Sequence, residues 1–473
     1  MENKVLKLSP NSYLYFFVIG AFFIVTGHLM FAKYMFMDGL YYTTIARNIA
    51  VGDGTVWDMK FTNTFFTHFH EHPPLAMWLE SLYFKVLGNS WFVDKFYSVN
   101  TYVFTAFFIR KIWKVIFPDS PLTWVVLLFW LFTPVVFWAV GNNMLENTLS
   151  IFMMISVYYS LKCIITNKWY FSVLAGFFIA MGFFTKGFVA FYPLSFFVIY
   201  FLVFKTYTFK RMMMHSFLLC VGVVVPLLLL FVLNESAYLS IKAYVNIQVV
   251  NSLKNIVTVD SRLFIVKRLF SELLVSFSLL LLLFFSTLKE KFQISKNRIE
   301  FKWFLFFILF GLTGVLPIIV SLKQSGFYIL TVYPLFSIGL VSLFKDRWTY
   351  FHKKIVGSRI TKYVSTTIFL LGLIMVFSSI SSYGKDEKVV KDIEVICKYL
   401  KKGDVIDSPI SMSDDFSIHA YFYRINFISI RSTTDIQNMF YVVNLDENSM
   451  NEIPKSYRRV PLNTRKLKLY KKQ

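Results

Sequence analysis

Cysteine is scarce in this 473-residue chain, acidic residues are outnumbered, and several familiar catalytic motifs are missing. Each of these excludes a class of protein. The three cysteines, Cys163, Cys220 and Cys397, fall in separate segments, which leaves neither a disulfide framework nor a CxxC metal site. There is no GxGxxG, no P-loop and no HExxH, so dinucleotide, mononucleotide and zincin chemistry lose their usual signatures. Asp and Glu number 27 against 49 Lys and Arg, for a net charge of +22. In a soluble chain that balance would suggest nucleic acid. Here the basic residues gather in short loops between hydrophobic runs, where they set helix orientation, and nucleic acid is excluded as a partner.

Apolar side chains are present in excess. The chain is 56% hydrophobic with 56 Phe, and its mean hydropathy is +0.57. A soluble surface cannot hide that much apolar area. The hydrophobicity comes in runs of roughly 17–22 residues, the length of a membrane-crossing helix. The runs lack the alternation of a barrel strand, so helices are the only way to satisfy their backbone groups in lipid.

The expected fold is an all-α polytopic membrane protein of about eleven spans, within about ten to thirteen. The runs are Tyr13–Ala32, 96–116, Pro121–Val140, Leu145–Ile164, Trp169–Phe184, Phe188–Val203, His215–Leu233, Ser271–Ser286, Trp303–Ser321, Phe327–Leu343 and 363–382. The first run is too long for a signal-peptide core and no small-residue cleavage site follows it, so it reads as a retained anchor. Lys4 and Lys7, then Lys289, Lys291 and Lys296, help to place the basic loops in the cytoplasm. Residues 1–382 form the membrane domain, with extracytoplasmic loops at 33–95 and 235–270. Within the first loop Pro74–Leu87 reads as an amphipathic helix on the membrane, its apolar positions interrupted by Glu80 and Lys85. Residues 383–473 lose the hydrophobic period and read as a small extracytoplasmic α/β domain. In it Val389–Lys402 is helical and His419–Arg431 alternates as a strand would.

This orientation puts a few ionisable residues on one membrane face: Asp38, Glu71 and His72 in the first loop, Glu146 after GNNML, Lys186 in TKG and Lys323 in SLKQSG. Each has a bland reading. Asp38 could cap a helix, Lys186 could snorkel, Glu146 could pair structurally, and His72 could be a loop histidine. A charge at that depth is costly without a task or partner, and convergence on one face suits a site that handles a phosphate and deprotonates a hydroxyl. The segment HFHEH, with His68, His70 and His72, offers i, i+2 chelation.

At these residues the sequence resembles the polyprenyl-phosphate-dependent GT-C glycosyltransferases, in the branch of lipid A aminoarabinose transferases and protein O-mannosyltransferases. The matching segments are MDGLYYTTIARNIAVGDG, HPPLAMWLESLYFKVLG, MLENTLSIF, GFFIAMGFFTKG and SLKQSGFYILTVYP, in that order over most of the membrane part. The resemblance implies a membrane glycosyltransferase that moves a monosaccharide from a polyprenyl-phosphate donor to a cell-envelope acceptor. It implies Asp38 as the carboxylate that activates the acceptor hydroxyl and Glu146 beside it as the second catalytic carboxylate. His72, Lys186, Arg268, Lys323 and Tyr328 fall to the donor phosphate, and Tyr41, Tyr42, Glu71 and Gln248 to the acceptor or cavity lining. No cofactor is required; a divalent metal on Glu71 and His72 is an open alternative. The implied location is a bacterial inner membrane, with the active face and C-terminus extracytoplasmic and membrane lipids as neighbours. Two positions depart from the family: His72 stands where the aminoarabinose transferases usually have Lys, and Glu146 where Asp is more usual. Both argue against assuming a lipid A acceptor. Three rivals remain from the residues alone. A transporter or flippase would place its charges near mid-membrane and show internal repeats, and no repeat between halves is visible. A lipid-linked glycan polymerase or ligase would use a basic outer loop, here Lys242, Lys254, Arg262, Lys267 and Arg268. A non-catalytic scaffold leaves the one-sided charges unexplained.

Overall fold

The structure is a computed structural model that describes residues 9–250, 256–286, 298–380, 382–445 and 453–473. Lys4, Lys7, Lys254, Lys289, Lys291 and Lys296, used above, lie outside the described residues. Helices dominate: α1 Pro10–Met30, α2 Met37–Val51, α3 Leu75–Leu87, α4 Phe92–Ile116, α5 Thr123–Leu131, α6 Pro134–Val140, α7 Leu145–Thr166, α8 Tyr170–Lys186, α9 Phe196–Phe204, α10 Phe209–Leu233 and α11 Glu235–Tyr244. They continue as α12 Phe264–Ser286, α13 Ile299–Val315, α14 Tyr333–Leu343, α15 Lys345–Ile355 and α16 Arg359–Ser379.

Among the described residues eight helical segments are long and apolar enough to cross a membrane, or nine if α5 and α6, bent by 79°, count as one. This is fewer than the eleven expected, for two reasons. α4 has 25 residues, but Asp94 and Lys95 at one end, Arg110, Lys111 and Lys114 at the other, and the polar Ser98, Asn100, Thr101 and Thr105 between them leave it insufficiently apolar, so length is not what excludes it. Tyr170–Phe204 counts as one segment of 35 residues, yet it turns back on itself at Gly187. Phe183 stacks on Phe191 at 5.3 Å, Lys186 meets the start of α7, and Phe204 packs on Trp303 at the start of α13. α8 and α9 therefore travel in opposite directions.

Lipid supplies no hydrophobic drive for one helix to pack on another, so small residues decide where helices approach. α1 lies along α16, and an added Cβ on Gly20 would sit 2.5 Å from the Phe369 Cα. α8 crosses α10 where a Cβ on Gly176 would sit 2.1 Å from the Leu219 carbonyl oxygen and one on Gly222 2.1 Å from that of Val173. The α5–α6 break has its own support. Pro134 opens α6, and the backbone N–H of Val135 donates to Glu272 Oε2 at 2.6 Å, so a helix start inside the bundle is satisfied from α12.

Beyond α16 the chain forms α17 Glu387–Tyr399, α18 Phe416–Asn426 and a five-stranded mixed sheet ordered β2-β1-β3-β5-β4. Its strands are β1 Val405–Ser408, β2 Ser429–Ser432, β3 Phe440–Asn444, β4 Tyr457–Arg459 and β5 Leu467–Lys472. β1 is parallel to β2 and β3, and β5 is antiparallel to β3 and β4. The strand expected over His419–Arg431 is corrected: 416–426 is helix and only 429–432 is strand. Ile418 through Arg424 are all buried, so this helix shows no polar stripe and its sequence imitates alternation. Its start was marked by Asp415, whose side chain accepts from the Ile418 N–H at 3.2 Å. The amphipathic helix of the first loop exists as α3, but Glu80 belongs to its buried face, and Trp78, Leu82 and Val86 point outward. One apolar core joins α2 and α3 to α17, α18 and the sheet, separate from the core of the membrane bundle.

Gly176→Leu should lower stability by about 1–3 kcal/mol through overpacking at the α8–α10 crossing. Thermal unfolding of purified protein in detergent reads this; an unchanged midpoint would contradict the crossing.

Candidate active site

Asp38 stands in the first turn of α2, whose N-cap is Phe36. The Phe36 N–H donates to Asn142 Oδ1 at 2.6 Å, and no side chain of α2 caps its own helix. The capping explanation for Asp38 is thereby removed, and its carboxyl faces a cavity. Burial pushes that carboxyl up to about 6; Lys186 and Lys323 pull it down, while Glu146 and Glu71 push it further up.

Glu146 lies in the first turn of α7 and Lys186 is the last residue of α8. They form a short ion pair, with Glu146 fully buried and Lys186 only 7% exposed. Lys186 Nζ also lies 5.4 Å from the Phe327 ring and 5.2 Å from that of Tyr328. Lys186 therefore does not snorkel to the surface. The other carboxylate oxygen of Glu146 has no hydrogen-bond partner among the described residues.

Lys323 approaches from SLKQSG, a turn held to the second loop by buried Gln324. Its side-chain amide donates to the carbonyls of Arg262 at 2.9 Å and Ser321 at 2.8 Å, and its oxygen accepts from the Ile265 N–H at 2.9 Å. Burial lowers the Lys323 pKa, against the opposing pull of Glu71 and Asp38.

These elements enclose a cavity of about 500 Å³. One wall is polar: Asp38, Tyr42, His72, Lys186, Gln248, Lys323 and Tyr328. The other is largely apolar and runs from Phe188, Val189 and Phe191 to Pro317 and Ile318. His72 packs edge-on to Tyr42, ring centroids 5.5 Å apart. Burial, then Lys186 and Lys323, hold its pKa well below the ordinary histidine value. A charged imidazole at His72 is thus disfavoured, unlike the Lys that the family resemblance would put there.

Four expected site residues do not line the cavity. Glu146 sits behind Lys186. Glu71 stays within electrostatic reach of Lys323, with burial raising its pKa. Tyr41 is packed edge-on against Phe61 at 4.3 Å and Phe69 at 4.8 Å. Arg268 is engaged by Glu272 at 2.6 Å, one turn along α12. The histidines of HFHEH diverge: His68 meets Asp58 at 2.8 Å, His70 meets Ser240 at 3.3 Å, and His72 enters the cavity. Among the described residues no group of three or more His, Cys, Asp or Glu could hold a metal ion. Sequence reasoning missed Tyr192, Tyr244, Thr313 and Ser321 in the lining. The place of Tyr244 shows only in the structure. Gly187 has φ +75° and no room for a Cβ, which would run into the Tyr244 hydroxyl.

Residues 71–233, which carry Glu71, His72, Glu146 and Lys186, match the family described as dolichyl-phosphate-mannose-protein mannosyltransferase. ArnT from Cupriavidus metallidurans bound to undecaprenyl phosphate has a similar structure, with a TM-score of 0.64 at 12% identity over 96% of this chain and 97% of that one. Its apo state gives 0.63 at 13% identity over 94% and 96%. The oligosaccharyltransferase AglB from Archaeoglobus fulgidus, in complex with an inhibitory peptide and a dolichol-phosphate, gives 0.51 at 10% identity over 92% of this chain and 69% of that one. No curated protein sequence matches the chain. The fold is that of these two membrane proteins, ArnT and AglB, and the segment that matches the mannosyltransferase family lies within it.

Lys186→Ala should cost about 3–5 kcal/mol, because it leaves Glu146 buried without a counterion. Lys186→Met combined with Glu146→Gln should recover most of that stability in thermal unfolding; a double variant no more stable than the single would contradict the pairing.

Proposed function

We propose that this protein transfers a monosaccharide from a polyprenyl-phosphate donor, of the undecaprenyl type, to a hydroxyl of a cell-envelope acceptor such as lipid A, another glycan or a protein. The observation that carries this reading is Asp38 sharing one cavity with Lys186 and Lys323, with apolar lining from Phe188, Phe191, Pro317 and Ile318. The acceptor oxygen bonds to the anomeric carbon, the bond from that carbon to the phosphate oxygen breaks, and Asp38 takes the acceptor proton. Displacement from the face opposite the leaving group inverts the anomeric centre. The departing lipid phosphate gains a negative charge in the step. Lys186 and Lys323 are fixed cations where that charge develops, which is the differential stabilisation catalysis needs. Lys186 is already balanced by Glu146, so Lys323 carries the less committed charge.

The distribution of charge along the bundle supports an extracytoplasmic site, which the proposal places at a bacterial inner membrane. Arg110, Lys111, Lys162, Lys205, Arg211, Lys353 and Lys354 belong to the end of the bundle away from the cavity. The similar AglB structure holds an inhibitory peptide and a dolichol-phosphate, and the similar ArnT structure holds undecaprenyl phosphate.

Purified protein in lipid should transfer sugar from one member of a panel of radiolabelled polyprenyl-phosphate sugars in the presence of membrane extract. Asp38→Asn should lose that transfer while remaining folded; full activity in the variant would sink the base assignment, and no turnover of any donor would favour a transporter. The same group sets a pH dependence. Asp38 must be unprotonated to act as base, so the rate should fall as pH drops through about 6. A flat profile from pH 5 to 8 would contradict it.

A further inference from the structure

The helix that carries Asp38 is held by charges that the transfer chemistry does not use. Arg424, on α18, is 4% exposed and reaches out of the C-terminal domain. Its Nη1 lies 2.8 Å from Asp94 Oδ2, and its guanidinium stacks 4.2 Å from the Trp91 ring. Asp94 Oδ2 is 3.4 Å from the Thr43 hydroxyl on α2. Thr43 donates to Glu80 Oε1 at 2.6 Å, and the Asn143 amide donates to the same oxygen at 2.8 Å. Asn143 lies in the turn that opens α7, three residues before Glu146. The neighbouring Asn142 accepts from the N-cap of α2. Lys95, next to Asp94 and 1% exposed, donates to the Tyr34 carbonyl at 2.8 Å and to that of Gly141, and so ties the entry to α2 to the same turn. On the far side of α2, Arg47 donates to the Tyr423 carbonyl at 2.9 Å and lies 4.0 Å from the Phe427 ring.

None of these groups is among the residues that line the cavity, so contact with substrate there does not explain them. A polar network of this kind is retained where it fixes one geometry among several. From this connection we infer that Arg424 is a positioning residue for sugar transfer: by docking on Asp94 it sets, through Thr43, Glu80 and Asn143, where α2 and the start of α7 hold Asp38 and Glu146. The inference rests on the glycosyltransferase reading for its kinetic consequence, not for its structural one. Displacing a reacting group by about 1 Å can cost on the order of 100-fold in rate.

The test compares wild type, Arg424→Gln, Arg424→Lys and Asp94→Asn, each purified and shown to be folded by thermal unfolding. Hydrogen exchange of peptides covering 34–48 and 139–147 is read first. Both should exchange faster in Arg424→Gln, while α10 stays unchanged. Equal exchange in wild type and variant overturns the proposal, whether or not any donor is turned over. With the donor that the wild type uses, Arg424→Gln should lower kcat about 10- to 100-fold with the donor KM within about twofold. Arg424→Lys should recover part of the loss. The acid limb of the pH–rate profile should move in Arg424→Gln, because the burial of Asp38 changes with the placement of α2. A variant that merely loses folded protein would keep both the limb and the kcat per folded molecule, and that result rejects positioning. Absence of transfer by the wild type would instead reject the glycosyltransferase reading and leave the exchange result standing.

Discussion

Lys186 and Glu146 face each other almost without water, and the polar half of the cavity is arranged around that contact. An uncompensated charge at this depth is expensive, so neither residue can be placed independently of the other. Their pairing locks the end of α8 to the beginning of α7. It also forces the chain to turn at Gly187, where only a residue tolerant of positive φ and free of a side chain avoids Tyr244. The apolar wall begins immediately after that turn. Charge, turn and wall thus follow from one constraint, and Asp38 comes to them from a separate part of the chain, across the first loop.

The membrane architecture was legible because hydrophobic run length and loop charge are physical requirements of the bilayer. Asp38, Lys186 and Lys323 were legible for a related reason: charged side chains at one face of an apolar bundle stand out. Their surroundings were less so. Tyr192 and Thr313 reach the cavity from segments that read only as membrane helix. Glu80 looked like a surface charge on α3 because α2 and α7, which bury it, are remote in sequence. Arg268 was grouped with the phosphate ligands by its charge and its loop, whereas Glu272, four residues on, already claims it. A salt bridge at i, i+4 is visible in a sequence once a helix is assumed there. The error lay in reading 235–270 as loop up to the last residue, when the helix begins at Phe264.

The family resemblance and the bare residues contributed different things. The order of segments suggested a family resemblance, and residues 71–233 match a mannosyltransferase family model within an ArnT-like fold. The two departures, His72 and Glu146, acquire physical meaning only in the structure. At His72, burial and two nearby lysines disfavour a charged imidazole. Glu146 is paired with Lys186.

The shared core of the first loop and the C-terminal sheet bears on how the molecule is made. α2 and α3 leave the ribosome long before α18, yet their apolar faces and the ion pair of Asp94 are completed only by that late helix. A chain stopped before residue 416 would carry its membrane helices with that apolar face of α2 and α3 left uncovered.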